Sequence, residues 1–159
     1  MSSTLSPTPE ASHPSAASGM SHSPTPADPG ALSGWKKICQ VNDIPVLGAR
    51  RVARAHGMDV AVFRNDRDEV FALLDRCPHK GGPLSQGIVL GTRVACPLHN
   101  WTIGLADGLA QAPDEGCTPP FQVRVENGEV FLLAAELATH AIDLKAPLAG
   151  PGQRCLHPA

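Results

Sequence analysis

CPHKGGPL (residues 77–84) and CPLHNW (residues 96–101) are the two segments that set this chain apart. Each combines a cysteine with a nearby histidine, as C-x-H and C-x-x-H, and 16 residues separate His79 from Cys96. Thiolate and imidazole are metal ligands, and the proline after each cysteine restricts the backbone of the ligand loop. Gly81 and Gly82 let the backbone come close to a bound group. The sequence therefore predicts a metal site with the ligands Cys77, His79, Cys96 and His99.

The mixture of ligands within each loop bears on the kind of metal. A structural zinc site usually pairs cysteine with cysteine and histidine with histidine along the chain. A loop that carries one of each suits a two-iron centre, in which both cysteines bind one iron and both histidines bind the other. From the residues alone, a zinc-stabilised binding module remains the alternative.

The whole pattern, C-x-H-x16-C-x-x-H with Gly81, Gly82, Gly87 and Pro97 around it, resembles the motif of the Rieske [2Fe-2S] proteins. The resemblance covers residues 35–134. It implies an all-β fold: a Rieske-type antiparallel β-sandwich with a small cluster-binding subdomain. It also implies one [2Fe-2S] cluster per chain, with an inner iron and an outer, more exposed iron. By this resemblance the inner iron is held by Cys77 and Cys96, and the outer iron by His79 and His99.

Departures from the high-potential respiratory members predict a low reduction potential. Those members have a disulfide between the two loops, but the matching positions here are Gly82 and Leu98. They also donate hydroxyl hydrogen bonds to the cluster, where this chain has Trp101 and Ile103, and the chain has no tyrosine. Hydrogen bonds to the sulfurs stabilise the reduced, more negative cluster, so their loss lowers the potential.

Further strings resemble the small subunit of the bacterial assimilatory NADH-dependent nitrite reductase; they are CPHKGGPLSQG, CPLHNW, DEGC and FQVRVENGEVFL. This resemblance implies an oxidoreductase subunit that acts as an electron carrier and has no catalytic residue of its own. The implied partner is a large subunit with FAD, an iron–sulfur cluster and sirohaem, which reduces nitrite to ammonium with NADH or NADPH. The alternative is a stand-alone Rieske ferredoxin that delivers electrons to a ring-hydroxylating dioxygenase.

Composition excludes several other classes of protein. The 159 residues carry a net charge of −2, which lies in Glu10 and Asp28, because residues 35–134 have 11 basic and 11 acidic side chains. Such a chain lacks the basic surface of a nucleic-acid binder. No stretch approaches the ~20 apolar residues of a membrane span, and no secretory signal is recognisable. We therefore expect a cytoplasmic protein with reduced thiols.

The chain divides into three parts by composition. Residues 1–34, rich in Ser, Pro and Ala, are predicted to be a disordered tail. Residues 35–134 contain short runs with the period of β-strands, including one at residues 109–112, and a hairpin at Asn127-Gly128. Residues 135–159 form a C-terminal extension that begins with about two helical turns.

Three cysteines lie outside the motif. Cys117 is predicted to be structural, since a third thiolate would break the count of two cysteines and two histidines. Cys39 fits a small core residue in the first strand. Cys155, in the extension, is predicted to be an exposed free thiol.

Overall fold

The computed structural model describes residues 33–142, 144, 149–150 and 155. The predicted disordered tail therefore lies outside the described residues, apart from Ser33 and Gly34, as does most of the extension beyond residue 142. The first strand begins at Trp35, and the carbonyl of Gly34 accepts a hydrogen bond of 2.8 Å from the N–H of Ala134.

The described residues form short strands and one short helix. The strands are β1 (Trp35–Gln40), β2 (Gly48–Val52), β3 (Val60–Arg64), β4 (Val70–Leu74), β5 (Ile88–Leu90), β6 (Arg93–Ala95), β7 (Thr102–Gly104), β8 (Pro120–Phe121), β9 (Val123–Glu126) and β10 (Glu129–Leu133). The helix is α1 (Ala134–Thr139), and single 3-10 turns occupy Val41–Asp43 and Leu84–Gln86.

The strands make three antiparallel sheets. Sheet A has the order β1-β10-β9, sheet B has β2-β3-β4-β8, and sheet C has β5-β6-β7. The expected all-β antiparallel sandwich with a small subdomain is confirmed.

Sheet B lies between two cores and contributes residues to both, because alternate residues of a strand point to opposite faces of the sheet. Val60 and Val62 of β3 belong to the core between sheets A and B. Ala61 and Phe63 of the same strand belong to the core between sheets B and C. All four are fully buried, which explains why this strand reads as an unbroken apolar run rather than an alternating one.

Residues 75–119, here called the insert, leave sheet B after β4 and return to it at β8. These two strands are neighbours, and the N–H of Leu74 donates to the carbonyl of Pro119 at 2.9 Å. The insert contains sheet C and both segments of the predicted metal motif. Its base is therefore closed by sheet pairing that involves none of the predicted ligands.

The crossover from sheet B to sheet A takes place at Gln122, between β8 and β9. Glu136 of α1 is only 5% exposed and accepts hydrogen bonds from the backbone and side-chain amides of Gln122, at 2.8 and 2.7 Å. The helix thus satisfies the polar groups of the crossover. No helix within the described ranges is long and apolar enough to cross a membrane.

The strand predictions are confirmed for most elements, but the single strand predicted at residues 121–126 is divided between β8 and β9, and two further elements differ. The hairpin at Asn127-Gly128 joins β9 to β10 as predicted. The predicted strand at residues 109–112 is instead a pair of isolated bridges, from Leu109 to Cys117 and from Ala110 to Ile103. Strand β5 was not predicted, because it has only three residues and its Ile88 and Leu90 are exposed.

Candidate metal centre

The two motif segments fold into loops with the same backbone hydrogen bonds. In the first loop the N–H of Cys77 donates to the carbonyl of Gly82 at 2.8 Å, and the N–H of Gly81 donates back to Cys77 at 2.9 Å. In the second loop the same two bonds are made, at 2.8 Å from Cys96 to Trp101 and at 3.0 Å from Asn100 to Cys96. The two loops therefore share the same pattern of backbone hydrogen bonds around their cysteines.

Each loop turns on a residue with left-handed backbone conformation. Gly81 has φ of 72° and Asn100 has φ of 62°. Glycine adopts this region freely, and asparagine tolerates it better than most other residues. The Asn100-Trp101 pair noted in the sequence therefore has a structural role, since Asn100 makes the corner that the second loop needs.

The four predicted ligands lie as two pairs, one of cysteines and one of histidines. Cys77 and Cys96 are 1% and 3% exposed and belong to the core between sheets B and C. The rings of His79 and His99 lie farther out, with centroids 4.7 Å apart and planes at 70°. His79 is half-buried and His99 is exposed. The cysteine pair is thus buried, and the histidine pair lies nearer the surface.

The thiols lie in an environment that opposes their ionisation in the metal-free chain. Burial raises the pKa of Cys77 to about 12, and the neighbouring Cys96 thiol adds to the rise. The backbone N–H groups of His79 and Lys80 donate to the sulfur of Cys77 and act in the opposite direction. A buried thiolate here requires positive charge beside it, which a bound metal ion supplies.

Two features fit a bound group between the loops. The Nδ1 atom of His79 is buried and has no hydrogen-bond partner among the described residues. Such an unsatisfied buried nitrogen is uncommon in a folded protein and is available as a ligand. At Gly82, an added Cβ would lie 3.0 Å from the sulfur of Cys96 and 2.9 Å from the side chain of Leu98. Glycine at this position keeps the space between the loops open.

The side chains around the ligands differ in how far they reach the surface. Leu98 is 55% exposed beside His99, whereas Leu84, in the first segment, is fully buried in the core between sheets B and C. Trp101 is half-buried, and its indole stacks on the imidazole of His79. The exposed apolar surface next to the outer ligand is therefore small and formed mainly by Leu98.

Asp75 is a supporting residue that the sequence did not reveal. Its carboxylate is 3% exposed and accepts hydrogen bonds of 2.7 Å from both the N–H and the hydroxyl of Ser85. It joins the end of β4 to the turn that follows the first ligand loop. A single acidic residue before a cysteine carries no distinctive sequence signal, so only the fold shows this contact.

The other three cysteines are not predicted ligands, and each has a different place in the fold. Cys39 is buried in the core between sheets A and B, as predicted. Cys117 forms a disulfide with Cys155, with Cα atoms 5.4 Å apart, so its structural role is confirmed. The prediction that Cys155 is an exposed free thiol is wrong: it is half-buried and covalently bonded. Its partner lies 38 residues away in the sequence, where no local pattern connects them.

Comparisons with known proteins agree with this geometry. The family model for the Rieske [2Fe-2S] domain matches residues 34–130. Ferredoxin CarAc of Metapseudomonas resinovorans is 34% identical over 102 residues, which are 62% of this chain and 92% of that protein.

Two solved structures also match over most of their own length. One is a proposed NADPH nitrite reductase small subunit, with 30% identity and a TM-score of 0.55 over 63% of this chain and 98% of that chain. The other is a proposed NADH-dependent nitrite reductase small subunit from Mycobacterium tuberculosis, with 26% identity and a TM-score of 0.56 over 62% and 92% of the two chains.

Proposed function

The chain belongs to the Rieske [2Fe-2S] domain family, and on this premise we propose that Cys77, His79, Cys96 and His99 hold its cluster in the service of one-electron transfer. The observation that carries the ligand assignment is the arrangement of four donors as a buried cysteine pair and an outer histidine pair. When bound, the cluster supplies reversible one-electron oxidation and reduction.

The residues around the ligands have distinct tasks in this proposal. The N–H groups of His79 and Lys80 stabilise negative charge on the sulfur of Cys77. The core between sheets B and C keeps water from the cysteine side. On the other side, the exposed ring of His99 is the point at which a redox partner comes nearest, and Leu98 offers it an apolar contact.

We further propose that the chain is the small subunit of an assimilatory NAD(P)H-dependent nitrite reductase in the cytoplasm. Support comes from the Asn100-Trp101 pair, from the DEGC turn at residues 114–117, and from similarity over nearly the full length of two proposed nitrite reductase small subunits. The partner is then a large subunit with FAD, an iron–sulfur cluster and sirohaem. Reduction of nitrite to ammonium takes six electrons, so a one-electron carrier would act repeatedly in each turnover.

Copurification from the native host tests this assignment. We expect a tagged chain to retain a large polypeptide with the visible absorbance of sirohaem, and the complex to oxidise NADH or NADPH when nitrite is added. Recovery of the iron–sulfur chain without any sirohaem protein, from cells grown on nitrite, would contradict it. Iron and sulfide analysis, with an EPR spectrum of the reduced protein, separately tests for the [2Fe-2S] cluster and excludes or supports a zinc module.

The second candidate is a stand-alone ferredoxin that supplies a ring-hydroxylating dioxygenase. Its support is the 34% identity to Ferredoxin CarAc over 92% of that protein. In that case the purified chain would pass electrons from a reductase to an oxygenase component and would not associate with a sirohaem protein. The same copurification therefore separates the two candidates.

A further inference from the structure

A disulfide ties the C-terminal part of the chain to the insert. Cys117 is fully buried in the insert, and Cys155 lies 38 residues later in the sequence. Beside this bond, the N–H of Gly150 donates to the carbonyl of Glu115 at 2.7 Å. The described residues of the C-terminal part therefore lie along the insert and are fixed to it both covalently and by a backbone hydrogen bond.

Two contacts connect the two sides of this disulfide to Arg76, the residue before the proposed ligand Cys77. Thr118, which follows Cys117, donates from its hydroxyl to the carbonyl of Arg76 at 2.7 Å. The guanidinium of Arg76 donates to the carbonyl of Leu144 at 3.1 Å. The backbone of Arg76 is thus bonded to the residue that follows Cys117, and its side chain is bonded to the C-terminal part.

The two sulfurs differ in access. Cys117 has no exposed surface, whereas Cys155 is only half-buried. Thiol–disulfide exchange proceeds by attack of a thiolate on an accessible sulfur. An incoming thiol therefore attacks Cys155, and the sulfur of Cys117 leaves as a thiolate and takes up a proton.

We propose that Cys117 and Cys155 are a reversible thiol–disulfide site that takes a dithiol as its reductant, and that its state changes the surroundings of Cys77 through Arg76. The first thiol of the reductant forms a mixed disulfide with Cys155, and its second thiol displaces Cys155. The reductant becomes a disulfide, and the protein gains two electrons and two protons as two thiols. Exchange with an oxidised dithiol reverses the reaction with the same balance.

This inference does not depend on which redox partner the chain serves. Disulfides in reducing compartments are usually transient or sensing, while those of oxidising compartments are structural. The contacts through Arg76 give a reversible bond here a consequence for the first ligand loop. If the Cys117–Cys155 disulfide were only structural, it would persist in the presence of a dithiol.

The experiment uses the full chain with its cluster, purified without thiol reagents and then treated with dithiothreitol or left untreated. Alkylation under denaturing conditions, followed by digestion and mass spectrometry, maps the Cys117–Cys155 cross-link. Visible circular dichroism of the oxidised cluster reports the surroundings of Cys77. The rate of limited trypsin cleavage reports release of the C-terminal part.

We expect the cross-link in untreated protein, a changed dichroism spectrum after reduction, and cleavage that is faster by roughly tenfold or more, as expected when a disulfide-closed loop is released. Cys155→Ser should match the reduced protein in both assays before and after treatment. His56→Ala, a substitution at an exposed turn, should respond to dithiothreitol as the unsubstituted chain does.

Three results would overturn the proposal. One is alkylation of Cys155 in untreated protein that retains its cluster. Another is a cross-link that persists in the folded protein after dithiothreitol treatment. The third is a cross-link whose reduction changes neither the dichroism nor the cleavage rate. If the chain held no cluster, the dichroism signal would be missing in every sample, while the cross-link and the cleavage assay would still report on the thiol pair.

Discussion

The indole of Trp101 lies parallel to the imidazole of His79, with ring centroids 4.6 Å apart and planes 5° apart. The two residues belong to different loops, and the carbonyl of Trp101 is bonded to the N–H of Cys96 within the second loop. Trp101 therefore holds a proposed ligand of the first loop from a position fixed in the second. Its ring also covers one face of the imidazole that would otherwise meet water.

Replacing Trp101 by leucine should weaken cluster retention. The substitution removes an aromatic contact of about 1 kcal/mol and opens one face of His79 to solvent. We expect visible iron–sulfur absorbance to decay several-fold faster in the presence of an iron chelator. Trp101→Phe keeps a flat ring against the imidazole and should decay at nearly the original rate; equal decay of the leucine and phenylalanine variants would contradict the role of stacking.

Substitution of either proposed histidine ligand should abolish cluster binding. His79→Ala or His99→Ala would remove one of the two nitrogen donors proposed for the outer iron, so we expect purified protein without visible absorbance and with little iron or sulfide. Cys117→Ser should retain the cluster, because Cys117 is bonded to Cys155. His56→Ala serves as the control for the loss of a histidine. A colourless Cys117→Ser protein that is still folded would count against the ligand assignment.

The midpoint reduction potential of the cluster should lie toward the lower end of the Rieske range, which is about −150 mV. Gly82 and Leu98 are adjacent and occupy the positions where the respiratory members have their disulfide. The chain also has no tyrosine whose hydroxyl could donate a hydrogen bond to the cluster. A redox titration followed by EPR or visible absorbance measures the potential directly. A midpoint well above zero would show that other donors to the sulfurs replace the missing ones.

Gly82→Ala should impair cluster assembly. The added methyl group would come within 3.0 Å of both the Cys96 sulfur and the Leu98 side chain, which is closer than ordinary van der Waals contact. Leu98→Ala alone should be tolerated, since Leu98 is largely exposed. The double variant Gly82→Ala/Leu98→Ala relieves only the contact with Leu98, so we expect it to recover part of the iron content. Full recovery would mean that the contact between the added methyl group and the Cys96 sulfur does not impair assembly.

Asp75→Asn should destabilise the insert relative to the sandwich. The carboxylate accepts two hydrogen bonds from Ser85 while nearly excluded from water, and an amide at the same place cannot accept both as well. We expect a loss of about 1–3 kcal/mol in the free energy of unfolding, measured with denaturant. Ser85→Ala removes one of the two bonds and should cost less.

The sequence allowed the metal motif to be predicted because its signals are local. Each cysteine lies within three residues of its histidine, and Asn127-Gly128 specifies a hairpin by itself. Strand β5 was missed because it has only three residues and all three are apolar, so its alternating burial (Val89 buried, Ile88 and Leu90 exposed) leaves no alternation of apolar and polar residues in the sequence. The Cys117–Cys155 bond and the Asp75–Ser85 contact join residues that only the folded chain brings together, so neither could be foreseen.

The closure of the insert by β4 and β8 has a consequence for how the protein is maintained. The core between sheets A and B contains none of the four proposed ligands, and the insert returns to the strand beside the one it left. Loss of iron should therefore disturb the insert and leave the sandwich assembled. A molecule that has lost its cluster to an oxidant would then keep a folded sandwich, and resupply of iron and sulfide would restore it without new synthesis.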